Sequence, residues 1–249
     1  MAVARQPRPA GNADHAQRRR LGVRVARHRA GAVGAARPGV RGRGVSAGLV
    51  APGALSPLAD PIAAPAGVRV IGLDLSITST GVCLPDGTTY RIKTRAADAD
   101  RRLLHIRDAV ADDLAEHRPH LAVIEDLPTK MHAAALKIIG KLHGVVVGAL
   151  LDTDVPYAYV PPATLKQFAC DKGNADKAQL AAAAYLAAGA EFADDKGGDQ
   201  CDAWWLRAAG HDAYRAPLFS MPKAQRERLS VVAWPDMTRQ RVVLGMPQP

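Results

Sequence analysis

The amino-acid sequence predicts an α/β fold, a mixed sheet of three antiparallel strands plus parallel strands flanked by helices. Two observations predict it. Three short apolar runs separated by turns occupy residues 68 to 93, and from residue 103 onward stretches of helical spacing alternate with further apolar runs. The length from Val68 onward suits one domain with a proper core.

The elements follow in order. In VRVIGLDLSITSTG, residues Val68, Val70, Ile71 and Leu73 make the first strand, which runs out at Asp74; Thr80-Gly81 then marks a turn into a second strand, Val82 to Leu84. Asp86-Gly87 turns the chain into a third strand, Thr88 to Lys93. Leu103, Ile106, Val110 and Leu114 recur at helical spacing as far as His117. Leu121 to Ile124 form an apolar strand ending in Glu125-Asp126, and an acid after a fully buried strand belongs at its exposed end. A helix from about His132 to Leu151 carries a stripe of Leu136, Ile139, Leu142 and Val146 that predicts its buried face. A fifth strand, Pro156 to Val160, stops at Pro161-Pro162, and helices from Ala175 to Ala188 and from Asp199 to Ala209 complete a domain over residues 68 to 212. Residues 213 to 249, with Pro217, Pro222 and Pro235, read as an irregular tail with a short basic helix at Lys223 to Leu229, a cover for the domain or an aid to subunit pairing.

Residues 1 to 67 are a different material. They hold eleven arginines and two acids, so the whole-chain charge of +9 sits entirely there and the remainder is balanced, 22 basic against 22 acidic. Rich in Ala, Gly, Arg and Pro and without period, this leader cannot bury enough apolar surface to offset ordering, which predicts disorder. It is not a secretory signal, because arginines interrupt every apolar stretch; a translation start near Val68 would make it a gene-model artefact. No run of 18 apolar residues predicts a membrane span. A balanced domain also means that the basic total is no argument for nucleic-acid binding.

The chemistry lies in four acids: Asp74 and Glu125 at two strand ends, and Asp199 and Asp202, one turn apart on the late helix. Taken singly, Asp74 ends a strand, Asp199 caps a helix and Asp202 faces water. Taken together, in the order strand, strand, helix, they read as one site. Clustered carboxylates repel and need a compensating cation. Oxygen-only ligands suit two Mg²⁺ ions, for which Mn²⁺ can substitute, and such a pair stabilises the attacking and leaving oxygens of a phosphodiester displacement.

Four blocks then give a resemblance. Asp74 with Thr80-Gly81, Glu125 with Gly140 and Gly144, the segment LKQFACDKGNADKAQL with Lys166, Gly173, Ala175, Lys177 and Gln179, and DQCDAWW together resemble, in spacing, a RuvC-type Holliday-junction resolvase of the ribonuclease H-like superfamily. The resemblance spans Val68 to Gly210. It implies that Asp74, Glu125, Asp199 and Asp202 are metal ligands and that Lys177 lies near the scissile phosphate, where a cation stabilises developing charge. It also implies a crossover junction endodeoxyribonuclease acting on four-way DNA as a homodimer. Leu75-Ser76 stands where the family commonly has Pro-Gly, and Ser76, Thr78 and Ser79 with Lys137, Lys141, Lys166 and Lys172 are the candidate DNA contacts. Asp126-Leu127-Pro128 stands where the family often has an aromatic wedge, which opens the alternative of a flap or other branched-DNA nuclease. An ATPase of the actin and sugar-kinase superfamily is a weaker alternative: GLDLSITSTG resembles its phosphate loop, but no second glycine-rich loop follows.

Cys83, Cys170 and Cys201 lack metal-finger spacing and suit a reducing cytoplasm. Cys201 is expected to be a small core residue, and at least one of Trp204 and Trp205 to be buried. His211 is the histidine nearest the late acids in sequence, with a role at the helix end or beside a water.

Overall fold

The computed structural model describes residues 67–128 and 130–237; the expected leader up to residue 66 and the last twelve residues of the tail lie outside that range. Five strands, β1 (Val70–Asp74), β2 (Ser79–Cys83), β3 (Thr89–Lys93), β4 (Leu121–Glu125) and β5 (Tyr157–Val160), form one sheet in the order β3-β2-β1-β4-β5. The first three pair antiparallel, and β4 and β5 run parallel to β1. This is the mixed α/β sheet that the alternation of runs predicts.

Side-chain alternation divides the core in two. Ile71 and Leu73 of β1 and Ala122 and Ile124 of β4 face the helices α1 (Arg101–His117) and α2 (Ala133–Asp152), meeting Ile106, Val110, Leu142 and Val146. Val70 and Leu121 with Val123 face the opposite layer, built from α3 (Pro162–Cys170), α4 (Lys177–Ala188) and α5 (Asp199–Ala213) through Phe168, Leu180, Trp204 and Trp205. Each fully buried side chain of this size stabilises the fold by roughly 1.5–3 kcal/mol.

Helix α5 lies directly on β1 and β2. A Cβ added at Gly72 would stand 2.0 Å from the carbonyl oxygen of Ala203, and one at Gly81 would stand 1.9 Å from that of Asp199. Glycine is required at both positions because the helix backbone occupies the space.

Several sequence expectations are corrected. Thr80-Gly81 is not a turn but the middle of β2, since Ser79 already pairs with Lys93. Pro161-Pro162 does end β5, yet Pro162 then opens α3, a helix the sequence reading passed over; proline at a first helical position costs no hydrogen bond. Leu136 is not on the buried stripe of α2 but 44% exposed, because the first two turns of that helix extend past the sheet. By length and composition alone the helix, 20 residues with a mean hydropathy of 1.7, is apolar enough to cross a membrane, although Lys137, Lys141 and His143 interrupt any run of 18 apolar residues. Its buried residues, Leu142, Val146, Ala149 and Leu150, pack here in the core beside α1.

The described part of the tail is a cover. After α5, a short helix α6 (Lys223–Glu227) and a 3₁₀ turn, Arg228–Val231, bring Leu229, Val232 and Met237 into the α5-side core, and Tyr214 donates its hydroxyl to the carbonyl of Pro235 at 2.5 Å.

Candidate active site

Sheet register brings the first two acids together. Leu73 pairs with Ile124 in the parallel β1–β4 ladder, so Asp74 and Glu125 follow side by side at the same end of neighbouring strands. Both share the alternation of Val70 and Val123 and therefore project toward α5. Their carboxyl groups interact closely enough that a shared proton raises Asp74 and opposes the rise of Glu125.

The first turn of α5 supplies the other pair. Ser79 shares the α5-facing side of β2 with Gly81, and its hydroxyl donates to Asp199 Oδ2 at 2.6 Å. Lys177, the first residue of α4, stands with Nζ 4.0 Å from Asp199 Oδ1. A capping box fixes that lysine's helix: Asp176 accepts from the Gln179 N–H at 2.8 Å and the Gln179 side chain accepts from the Asp176 N–H at 3.0 Å.

Electrostatics records the crowding. Burial, followed by the charges of Glu125, Asp202 and Asp199, holds the Asp74 carboxyl well above the usual range. Burial and then Asp202 push Glu125 up to about 7, against the pull of Lys166 and Lys177. Burial pushes Asp202 up to about 6, with Lys177 and Lys166 opposing and Asp195 and Asp199 adding to the rise. Raised carboxylates facing one another favour a bound cation, and an all-oxygen donor set suits a hard divalent one. Among the described residues no three acid, histidine or cysteine side chains already surround a single point. The donor set fits a divalent ion once a proton shared by Asp74 and Glu125 leaves, and Ser79 engages only Asp199 Oδ2, leaving Oδ1 as a donor.

The other predicted contacts divide. Lys166, on α3, acts on Glu125 and Asp202, as Lys177 does. Lys172 bears instead on Cys170. Ser76 and Thr78 lie together, their hydroxyl oxygens 3.3 Å apart, in a loop pinned by Thr80, whose hydroxyl donates to the Ser76 carbonyl at 2.7 Å. Ser79 is engaged with Asp199 rather than free for a phosphate. Lys137 is exposed on α2, and Lys141 pairs with Asp100 at 2.9 Å.

Three neighbours of the late acids were judged from sequence. Both Trp204 and Trp205 are buried, stacked with Phe219 and edge-on to Phe168 respectively, which leaves neither to stack on a base. Cys201 is buried, as expected, and burial raises its thiol. His211 is adjacent to the acids only in sequence: nine residues beyond Asp202 on one helix, it sits roughly 13 Å along the axis. There it is buried beside Arg207 with its imidazole lowered to about 4.

Sequence reasoning missed Asp195. Its Oδ2 accepts from the Cys201 N–H at 3.0 Å, its Oδ1 lies 4.0 Å from Arg91 Nε on β3, and its charge reaches Asp202. An acid four residues before a predicted helix start, followed by Gly-Gly, was the available signal.

Comparison with known proteins places this geometry in a family. Residues 63–187 match the family model for crossover junction endodeoxyribonuclease RuvC, an interval that includes Asp74, Glu125 and Lys177 and stops before Asp199. RuvC of Halorhodospira halophila is 31% identical over 120 residues, 45% of this chain and 72% of that protein. RuvC of Nocardia farcinica is 29% identical over 163 residues, covering 61% of this chain and 85% of the relative. In structure, T. thermophilus RuvC in complex with Holliday junction substrate matches with a TM-score of 0.52 at 21% identity, over 60% of this chain and 97% of that one, a likeness of fold. RuvC enzymes are divalent-metal dependent. The chain belongs to the RuvC family of crossover junction endodeoxyribonucleases.

Proposed function

We propose that this protein hydrolyses phosphodiester bonds at four-way DNA junctions, resolving them by paired symmetric nicks. The observation that carries the reading is the convergence of Asp74 and Glu125 at the same end of paired strands, within reach of the charges of Asp202 and Asp199, in a RuvC-type sheet. Asp74, Glu125, Asp202 and Asp199 would hold two Mg²⁺ ions, with Mn²⁺ as a substitute. When bound, such ions supply Lewis-acid activation of the attacking water and neutralise charge on the phosphate.

The chain's own residues do the rest. Lys177 and Lys166 bring positive charge to the acid cluster, where developing charge on the cleaved phosphate would be stabilised. Ser79 holds Asp199 in orientation from the neighbouring strand. Ser76, Thr78, Lys137, Lys141 and Lys172 are proposed as backbone contacts that position DNA without reading sequence.

Two equivalent cuts ask for two equivalent sites, and α2 offers a surface for pairing. Leu136, Ile138 and Leu151 are exposed on it, and Gly140, Gly144 and Gly148 would each meet nothing within 4 Å if given a Cβ, so a second copy of the helix can approach closely. The free thiols Cys83 and Cys201, both buried and raised, are consistent with a reducing cytoplasm.

The test incubates the full chain with labelled four-way, flap and linear DNA and Mg²⁺, beside Asp74→Asn. Paired nicks in the four-way substrate by the parent alone support the proposal. Cleavage confined to flaps supports the branched-DNA alternative that Asp126-Leu127-Pro128 leaves open, and ATP turnover without cutting overturns both.

A further inference from the structure

The edge strand β3 ends in a basic corner that the acid cluster does not use. Because β3 is antiparallel to β2, its last residue, Lys93, pairs with Ser79 and lies at the end of the sheet that carries Asp74 and Glu125. From there the chain passes Arg95 and a 3₁₀ turn, Ala96–Asp98, into α1, whose first turns contribute Arg101, Arg102 and His105. Together these residues line a concavity of about 420 Å³.

Its charge is concentrated. Lys93, Arg95, Arg101 and Arg102 face a single lining acid, Asp98, although residues 68 to 249 as a whole carry no net charge. Asp98 pairs with Arg95 only at 3.4 Å, with the arginine side chain 84% exposed, so water screens the pair and the positive excess survives. Arg102 Nε donates to the Ala99 carbonyl at 2.8 Å, which orients one guanidinium at the rim. Asp100, the N-cap residue of the 17-residue α1, is held by Lys141 at 2.9 Å, so its charge is met from α2 rather than by the arginines of the corner.

Resting on the nuclease reading above, we propose that this corner binds the sugar-phosphate backbone of a DNA arm as it leaves the cleavage site. The ligand is backbone rather than base. The lining has no aromatic ring other than the His105 imidazole and no buried acceptor aimed inward, whereas exposed arginines and a lysine suit phosphate oxygens. The corner therefore sets affinity and its dependence on salt, and leaves the choice of cleavage sequence to other parts of the chain. It adds to the earlier contacts a surface on the far side of Ser79 from β4, so DNA would run across the sheet end.

The experiment measures binding of a labelled four-way junction by the full chain carrying Asp74→Asn, in Mg²⁺, across a salt series. Three partners are compared: Arg101→Glu/Arg102→Glu, the charge-conserving Arg101→Lys/Arg102→Lys, and Arg118→Glu at the opposite end of α1. Charge reversal should raise Kd at least about tenfold and reduce the slope of log K against log salt by about two, near the loss of two phosphate contacts. The lysine pair and Arg118→Glu should stay within about twofold of the parent, since charge is kept or lies at the other end of the helix. Unchanged Kd and slope on reversal, an equal loss in the lysine pair or in Arg118→Glu, or absence of junction binding by the parent overturns the proposal. Cleavage is not needed for this readout: a flattened salt slope in a chain whose native form cuts nothing would retain the corner and remove the nuclease reading.

Discussion

Ser79 and Asp199, the first residues of β2 and α5, are joined by a hydrogen bond of 2.6 Å although 120 positions separate them. The bond fixes one carboxylate oxygen of Asp199 and leaves Oδ1 as a donor. Ser79→Ala removes that tether, and loss of such an outer contact to a ligand lowers metal affinity about tenfold. The expected result is a shift to higher Mg²⁺ in a cleavage titration with little change at saturation; an unaltered titration would show that Asp199 does not need the serine.

Lys177 stands at the start of a capped helix, 4.0 Å from Asp199 Oδ1 and 59% exposed. Its role in the account is electrostatic and specific to the reaction. Lys177→Ala is expected to lower the single-turnover cleavage rate about 10²- to 10³-fold while junction affinity changes little. An equal loss of binding and rate would instead make it one phosphate contact among several.

The glycines give opposite outcomes. At Gly81 a methyl group meets the Asp199 carbonyl, so Gly81→Ala should cost about 1–3 kcal/mol or more by overpacking, seen as a lowered Tm. At Gly144 the methyl meets nothing, and alanine should stabilise the exposed helix by about 1 kcal/mol. Gly144→Leu should leave Tm near the parent yet shift sedimentation from dimer to monomer if α2 pairs with its copy. A dimer that survives that change places the interface elsewhere.

The acids make stability depend on pH and metal together. Burial first, and then mutual repulsion, raise Glu125 to about 7 and Asp202 to about 6, so the folded chain holds protons that the unfolded chain releases near pH 4. Without divalent ions, stability therefore falls as pH rises from about 4 to about 7. His211, lowered to about 4 by burial and Arg207, acts in the reverse sense and removes stability as pH falls below about 6.5. Thermal melts in chelator should be highest at mildly acidic pH. Mg²⁺ should raise Tm more at pH 8 than at pH 5.5, because at pH 8 it displaces no proton. An equal effect at both values would detach the ion from these carboxylates.

Much of this was legible in the residues. The continuous apolar runs of VIGLD and LAVIE give two buried strands, and because both acids terminate them, a parallel pairing alone is enough to bring Asp74 beside Glu125. What the sequence hid was packing. Nothing local distinguishes Thr80-Gly81 as a strand interior, since the reason for Gly81 is the backbone of α5, far along the chain. Pro161-Pro162 carried two messages, the end of a strand and the start of α3, and only the first was read. Leu136 kept helical spacing with Leu142 and Val146 but lies beyond the sheet they cover. Asp195 acts through tertiary contacts with Cys201 and Arg91, which no spacing rule announces.

The central claim is that Asp74, Glu125 and Asp202 share one divalent ion. Crystals of the full chain grown with Mn²⁺ test it directly through anomalous scattering. The account predicts a peak bounded by these three carboxylates. A cleavage-competent protein whose manganese lies away from all three would contradict it.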